Sequence, residues 1–242
     1  MDPWQLKPAR DLGLSMAERL ASTRREPGLG EALGHGLWSV AVGGMLRVWH
    51  RLTVLGREHV PVKPPFVLVA NHTSHLDALV LSSLVPWRAR RTLYSIAAGD
   101  VFFETPQRAF LSALLLNALP MQRRQMGRHA LDDLRSRLVG DPCGFVLFPE
   151  GTRTADGQMQ SFKAGLGMLV AGTGVPIVPC YLRGAFAAWP RTAKWPRPRR
   201  VEVRVGAPVA LGEVADNRDG WMQIAKAAED AVRKLGEVPA AQ

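Results

Sequence analysis

The feature that most constrains the fold of this chain is an apolar run at residues 66–70 (FVLVA). It stops at a polar turn, residues 71–77, and a second apolar segment follows at residues 78–85. The pattern predicts a buried strand, a tight turn and a buried helix. Similar strand-like and helix-like segments alternate along the chain, which is typical of an α/β fold with a mostly parallel central sheet flanked by helices. Ligands of open α/β sheets bind where strand ends face helix starts, so we expect a functional site at residues 71–77.

The other predicted elements follow from the same periodicity and from the flanking turn residues. Strands are predicted at residues 52–56, 91–98, 118–122, 144–148, 177–183 and 201–205, and helices at residues 12–23, 30–51, 105–117, 126–139, 163–172 and 217–235. In the predicted helix at 30–51 the apolar residues near helical spacing are Leu33, Leu37, Val40, Leu46 and Trp49, whereas the internal glycines weaken the prediction. We expect residues 1–51 to form an N-terminal arm with amphipathic helices, which either pack on the core or lie on a membrane.

Two residues of the polar turn suit acid–base chemistry. His72 stands at the strand tip, and Asp77 follows five residues later in the first helical turn. A carboxylate in that position can fix the imidazole tautomer and stabilise the imidazolium as the histidine takes a proton. A structural interpretation is equally open, because Ser74 and Asp77 also form a capping-box-like pair and His72 could be an ordinary turn residue. The spacing alone therefore leaves both catalysis and helix capping open.

The net charge of +10 points to an anionic partner, which could be nucleic acid, an anionic membrane surface or a phosphorylated substrate. Cys143 and Cys180 lie in apolar strand-like runs, so we expect two buried core thiols, no disulfide and a reducing compartment. The N-terminal residues carry charges throughout and do not resemble a signal peptide. The apolar stretch at 37–49 is broken by Arg47 and is too short to span a bilayer, so we expect no transmembrane segment.

Polar clusters follow several of the predicted strands. They are residues 71–77, the pair Arg123 and Arg124, residues 150–154, and the segment around 175–179. If the strands are parallel neighbours, the first three clusters share one edge of the sheet, where a base would stand beside the cations Arg123, Arg153 and Lys163. Arginine side chains bind phosphate in bidentate fashion, and backbone N–H groups around 151–152 add anion contacts. This arrangement suits deprotonation of a hydroxyl on a small phosphorylated molecule, so that the hydroxyl attacks an electrophile.

The blocks resemble one family in particular. Residues 71–77 (NHTSHLD) are similar to the NHxSxxD block of the glycerolipid acyltransferases, the lysophosphatidic-acid acyltransferase family, and residues 148–154 (FPEGTRT) to its FPEGTRS block. Residues 175–179 (VPIVP) resemble its VPIxP block, and Arg123 is similar to the arginine between the first two blocks. The resemblance spans residues 52–206. Thr154 stands where serine is common, and residues 117–124 lack the glycine and phenylalanine that usually precede the family's arginine.

The resemblance implies a glycerol-3-phosphate acyltransferase-like fold, with residues 52–242 as the acyltransferase domain. It implies that His72, held by Asp77 in an HX4D motif, takes the proton from the acceptor's glycerol hydroxyl, which attacks the thioester of acyl-CoA or acyl-carrier protein. The substrate-binding residues that we predict are Asn71, Ser74, Arg123, Arg124, Glu150, Gly151, Thr152, Arg153 and Lys163. Structural alternatives stay open: Glu150 as an ion-pair partner in a loop, Lys163 as a solvated lysine, and Ser74 as a helix cap.

The acceptor that the resemblance implies is 1-acylglycerol 3-phosphate, which would give phosphatidic acid. Another lysolipid or an amino-lipid acceptor is an alternative, and a basic nucleic-acid-binding protein is an alternative of a different class. Apart from acyl-CoA or acyl-carrier protein as co-substrate we predict no cofactor, and because no Cys/His cluster has zinc spacing we predict no bound metal.

A predicted exposed loop at residues 187–200 (AAWPRTAKWPRPRR) mixes tryptophan with arginine and lysine. This mix is typical of a lipid headgroup interface, although single-stranded nucleic acid would suit it too. We favour the membrane, because a diacyl product resides in lipid. We therefore expect a peripheral protein on the cytoplasmic face of an anionic membrane, with no nucleic-acid partner, whose membrane contacts include Trp38, Trp49, Trp189 and Trp195.

Overall fold

A computed structural model of the chain describes residues 11–15, 18–19, 22, 25, 29–86, 89–98, 116–121, 128–141 and 143–239. The strands are β1 (Thr53–Leu55), β2 (Phe66–Ala70), β3 (Leu93–Ala98), β4 (Ala118–Met121), β5 (Gly144–Leu147), β6 (Ile177–Arg183) and β7 (Glu202–Val205). The α-helices with described bounds are α1 (Leu29–Val48), α2 (Asp77–Leu84), α3 (Arg128–Gly140), α4 (Gly165–Val170), α5 (Ala185–Ala188) and α6 (Arg218–Glu237). Short 3-10 helices lie at Arg57–His59 and Ala89–Thr92.

In the described part of the chain the strands form one sheet in the order β1-β7-β6-β2-β5-β3-β4. All neighbouring pairs are parallel except β6 and β7, which are antiparallel. Such a sheet is covered by helices on both faces, so its central strands read as continuous apolar runs rather than as alternating ones. Every residue of β2 and β5 is buried accordingly. The predicted α/β fold with a mostly parallel sheet is confirmed.

Alternate residues of β2 pack into two separate apolar clusters, because successive side chains of a strand point to opposite faces. Phe66, Leu68 and Ala70 pack with residues of α1 and α2 on one face. Val67 and Val69 pack with residues of α3, α4 and α6 on the other. The two cysteines are buried thiols, as predicted. Within the described ranges, none of the helices combines the length and the hydrophobicity needed to cross a bilayer.

The parallel strands β2, β5, β3 and β4 bring their carboxyl ends to one edge of the sheet. The predicted meeting of residues 71–77 with residues 148–154 occurs there, since the Thr154 backbone N–H donates to the His72 carbonyl at 2.9 Å. The segment 175–179 differs, because it leads into the start of β6 and is therefore at the opposite end of the strands. Its residues Val175, Ile177 and Val178 belong to the core.

Helix α1 exists as predicted, and among the described apolar residues near helical spacing only Leu46 is buried. The structure buries Ser39, Val42 and Leu46, whereas Leu37, Val40 and Trp49 are exposed. The face with residues 39, 42 and 46 is the one that meets the core, and apolar side chains occupy the exposed face as well. Residues 105–115 of the predicted helix at 105–117 fall outside the described residues, as do five residues of the predicted helix at 12–23 and both Arg123 and Arg124.

Candidate active site

The site is built around the turn that joins β2 to α2. His72 Nδ1 lies 2.9 Å from Asp77 Oδ2, and Asp77 is fully buried as the first residue of α2. A carboxylate oxygen can only accept, so Nδ1 carries the proton and Nε2 is left with its lone pair. The imidazole also stacks on Phe148, with ring centroids 4.0 Å apart and planes 14° apart. The His72 side chain remains 21% exposed, so an imidazole of defined tautomer and orientation is accessible from outside.

Asp77 holds the turn as well as the histidine. The same oxygen, Oδ2, accepts the backbone N–H of Thr73 at 2.6 Å and of Ser74 at 2.8 Å. The acidic residue thus satisfies N–H groups of the turn that leads into α2, which is the backward reach that the capping-box-like pair predicted. One carboxylate oxygen therefore makes the contacts that both interpretations of the HX4D spacing require.

Glu150 lies directly behind the catalytic turn. Its Oε1 accepts the His72 backbone N–H at 2.7 Å, and its Oε2 accepts the Gln160 backbone N–H at 3.0 Å. The residue is 1% exposed, and burial raises the pKa of its carboxyl group to about 7. Both oxygens are occupied by backbone groups, so the geometry gives Glu150 a positioning role, and its direct contact with a substrate stays a prediction.

Two further residues of the 71–77 block, Asn71 and Ser74, are buried and form hydrogen bonds to the protein backbone. The Asn71 amide pairs with the Leu182 backbone in both directions, at 3.0 and 2.8 Å, and so joins the end of β2 to β6. The Ser74 hydroxyl donates to the Trp189 carbonyl at 2.8 Å and accepts the Leu76 N–H at 3.1 Å. These contacts support the capping alternative for Ser74 and assign both residues to the framework of the site.

Arg153 is held against His75, a contact that the sequence did not reveal. Its Nη1 lies 2.5 Å from Nδ1 and 2.7 Å from Nε2 of the His75 ring, which also packs on Trp189 at a centroid distance of 5.0 Å. Burial, and next the charge of Arg153, lowers the pKa of His75. A neutral imidazole therefore lies beside the guanidinium, and His75 orients Arg153 without neutralising its charge.

The loop 150–154 also approaches Lys163. Gly151 has φ 75°, and a Cβ placed on it would lie 2.8 Å from Lys163 Nζ, so the ammonium group lies over the backbone of Gly151. The Lys163 N–H donates to the Pro149 carbonyl at 3.0 Å, and Thr152 is half-buried in the same loop. The structure thus brings Gly151, Arg153 and Lys163 to the His72 turn. Metal ligation has no support here, since the described residues contain no group of three or more His, Cys, Asp or Glu side chains that could hold an ion.

The loop at 187–200 borders the site. Ser74 and Pro190 form an isolated β-bridge, and the His75 N–H donates to the Trp189 carbonyl at 3.1 Å. The Trp189 ring is half-buried against the core, as is Trp38, whereas Trp49 and Trp195 are 51% and 72% exposed. The geometry therefore favours Trp49 and Trp195 among the four tryptophans that we predicted at a membrane, because the other two rings pack inward.

We expect Glu150 to make the stability of the fold depend on pH. Its pKa is raised from 4.5 to about 7 on folding, so the folded protein binds the extra proton between these values and stability falls as pH rises through this window. Relative to Glu150→Gln, the free energy of unfolding of the unmodified protein should fall by up to about 3 kcal/mol from about pH 5 to about pH 8. Chemical denaturation of both proteins across this range measures the difference, and parallel pH profiles would contradict it.

Comparison with known proteins places this geometry in context. The family described as Acyltransferase matches residues 51–183. The 1-acyl-sn-glycerol-3-phosphate acyltransferase alpha of Mus musculus is 29% identical over 168 residues, which are 66% of this chain and 55% of the relative. The chloroplastic 1-acyl-sn-glycerol-3-phosphate acyltransferase BAT2 of Brassica napus is 31% identical over 145 residues, 59% of this chain and 40% of the relative. The chain spans about half the length of the curated relatives it matches.

A solved structure shares the fold. The 1-acyl-sn-glycerophosphate (LPA) acyltransferase PlsC from Thermotoga maritima superimposes with a TM-score of 0.64 at 24% identity, covering 84% of this chain and 80% of that chain. The family match at residues 51–183 includes both motif blocks and the strands that present them. The predicted family is confirmed: the chain belongs to the acyltransferase family.

Proposed function

We propose that this protein transfers a fatty acyl group from a thioester donor to the free hydroxyl of 1-acylglycerol 3-phosphate, giving phosphatidic acid. The observation that carries the proposal is the hydrogen bond of 2.9 Å between His72 and buried Asp77, next to a loop that presents cations. The relatives named 1-acyl-sn-glycerol-3-phosphate acyltransferases support this acceptor, and acyl-CoA or acyl-carrier protein would be the donor. We place the protein on the cytoplasmic face of a membrane, where its lipid acceptor resides.

In the proposed reaction Nε2 of His72 takes the proton of the acceptor hydroxyl. The oxygen forms a bond to the thioester carbonyl carbon, the carbon–sulfur bond breaks, and the imidazolium returns the proton to the departing thiolate. Asp77 stabilises the imidazolium between these steps, while stacking on Phe148 fixes the plane of the ring. The acyl group passes directly between substrates, so a serine or cysteine nucleophile has no part in the reaction.

The acceptor phosphate would bind at the cations of the 150–154 loop. Arg153 supplies a planar fork that suits phosphate, and Lys163 adds a point charge over Gly151. Arg123 and Arg124 are further phosphate ligands that we propose from the sequence. The framework residues Asn71, Ser74 and Glu150 hold the backbone that presents these groups.

An acceptor panel tests the reaction directly. Purified protein with labelled acyl-CoA or acyl-carrier protein should acylate 1-acylglycerol 3-phosphate faster than lysolipids with other head groups. A faster rate with another lysolipid or an amino-lipid would replace the proposed acceptor. Acyl transfer to none of them would remove the proposal and favour the nucleic-acid-binding alternative.

Replacing Arg153 should affect the acceptor more than the chemistry. We expect Arg153→Ala to raise KM for 1-acylglycerol 3-phosphate by about tenfold or more with a smaller change in kcat, since a hydrogen bond to a charged group contributes about 1.5–3 kcal/mol. The matched control is Arg218→Ala, because Arg218 is an exposed arginine at the start of α6. Steady-state kinetics with varied acceptor measure both constants, and an unchanged KM would place the phosphate elsewhere.

Exposed apolar and basic side chains support a peripheral membrane contact. Val48 is 81% exposed and Trp195 is 72% exposed, and the exposed Lys194, Arg197 and Arg199 lie within four residues of Trp195 in the sequence. We expect the protein to sediment with anionic vesicles, and Trp49→Ala with Trp195→Ala to reduce the bound fraction several-fold. Met222→Ala serves as control, because Met222 is a 48% exposed residue on α6. Binding that is indifferent to anionic lipid and to salt would count against this contact.

A further inference from the structure

A cavity with a volume of about 600 Å³ lies between α1, β1 and the end of α2. Small-molecule sites commonly have volumes of about 300–1,000 Å³. The apolar part of its wall is formed by Leu37, Val40, Leu46, Leu52 and Val54. Neither motif block contributes to the lining, and the α2 residue in it, Ser83, lies about 9 Å along the helix from Asp77. This cavity is therefore separate from the catalytic turn.

Three arginines, Arg47, Arg57 and Arg90, line the same cavity. Arg57 Nη2 donates to the Leu84 carbonyl at 3.1 Å, and Arg90 Nε donates to the Val85 carbonyl at 2.9 Å. These bonds stabilise the carboxyl end of α2, which is a structural role for two of the three side chains. A guanidinium has five N–H donors, however, so helix capping leaves most of them unused. The same bonds place both guanidinium groups at the cavity.

The lining of the cavity contains these three arginines and no carboxylate. Across the described parts of the chain none of them forms an ion pair, and the charged neighbours that act on Arg90 are Arg57 and Arg47. Burial, and next these two charges, lowers the pKa of Arg90, so this guanidinium is partly desolvated and repelled by the two exposed arginines. A bound anion would relieve this repulsion and form charge-assisted hydrogen bonds with the guanidinium groups.

We propose that this cavity binds an anionic lipid, with one acyl chain along the apolar wall and a phosphate monoester head at Arg47, Arg57 and Arg90. A phosphate monoester carries up to two negative charges and takes bidentate arginine contacts, which suits three cations better than a carboxylate does. Leu37 and Val40 belong to the cavity wall and are also exposed on α1, so the cavity opens on the apolar surface through which a lipid would enter. The proposal does not depend on the acyl-transfer reaction.

Dodecyl phosphate is a suitable probe, because it has one chain and a phosphate monoester but no hydroxyl to acylate. Dodecyl phosphate is titrated into the full chain below its critical micelle concentration, and the heat of binding is measured by calorimetry. We expect a binding site whose affinity is unchanged in Arg153→Ala. Arg57→Gln combined with Arg90→Gln should weaken binding at that site by about tenfold or more. Lys234→Gln, a change of an exposed lysine on α6, should leave it unchanged.

A second variant tests the cavity without touching its charges. A Cβ at Gly43 meets nothing within 4 Å, so Gly43→Leu can extend a side chain into the cavity while improving helix propensity. We expect it to weaken dodecyl phosphate binding by about tenfold or more with an unchanged or raised melting temperature. Binding that survives both the arginine changes and Gly43→Leu, or that Arg153→Ala abolishes entirely, would overturn the proposal.

Further arms of the titration identify the chemistry and the source of the ligand. Inorganic phosphate should bind far more weakly than dodecyl phosphate, and equal affinity would make this an anion site and overturn the lipid assignment. If the natural ligand is a two-chain lipid, Gly43→Leu should bind vesicles containing phosphatidic acid more weakly than the unmodified protein does. If the natural ligand is the one-chain acceptor, Gly43→Leu should instead bind 1-acylglycerol 3-phosphate more weakly. Weaker binding of neither would also overturn the proposal. If dodecyl phosphate binds as expected but the protein transfers no acyl group, the lipid site is supported and only the proposed reaction is rejected.

Discussion

His72→Ala is expected to lower kcat for acyl transfer by about 10²–10⁴-fold, the contribution typical of a positioned general base. Asp77 engages Nδ1 of the imidazole, which leaves Nε2 as the nitrogen that can accept a proton. Alanine cannot accept the proton of the acceptor hydroxyl, so the hydroxyl would have to attack without deprotonation by the enzyme. KM for the acceptor should change little, because the phosphate contacts that we propose lie on the 150–154 loop.

The fold should survive this change. The contacts that hold the turn use the backbone of His72, whose N–H donates to Glu150 and whose carbonyl accepts from Thr154. Circular dichroism and a thermal melt should therefore match the unmodified protein closely. His59→Ala is the matched control, because His59 lies in the 3-10 helix that follows β1, away from the turn. Near-normal turnover by a folded His72→Ala protein would remove the general-base assignment.

The sequence was informative where one local pattern has one physical outcome. A five-residue apolar run followed by polar residues and a helical segment predicts a buried strand, a turn and a helix. The structure has β2 and α2 at these positions. The parallel arrangement then follows from the alternation of elements, and it brings residues 71–77 to residues 148–154. For this reason the contact between His72 and Asp77 could be predicted before its distance was known.

Other roles could not be read from sequence because the same residue type serves two purposes. A buried amide such as that of Asn71 and a carboxylate such as that of Glu150 hold backbone groups here, but the same residues would also bind a substrate in a different setting. The contact between Arg153 and His75, and the approach of Arg47, Arg57 and Arg90 to one cavity, join distant parts of the chain. Periodicity carries no information about such long-range contacts.

Asp77→Asn should lower kcat by an amount comparable with His72→Ala, about 10²–10⁴-fold, while keeping the turn. All three N–H donors of the turn, from His72, Thr73 and Ser74, reach the single oxygen Oδ2. The amide oxygen of asparagine can take that position and accept the same three bonds. What the variant loses is the negative charge that stabilises the imidazolium, so the rate should fall although the geometry is retained.

Asp77→Ala separates the structural role of the carboxylate from its catalytic role. Alanine removes the acceptor from the buried Thr73 and Ser74 N–H groups, and an unsatisfied buried donor costs about 1–3 kcal/mol. We therefore expect both variants to be nearly inactive but only Asp77→Ala to be clearly less stable in denaturant titrations. The double variant of His72→Ala with Asp77→Asn should be scarcely slower than His72→Ala alone, because a charge that stabilises an imidazolium has no effect once the imidazole is gone. Fully additive losses would show that Asp77 acts on the reaction by a route that does not pass through His72.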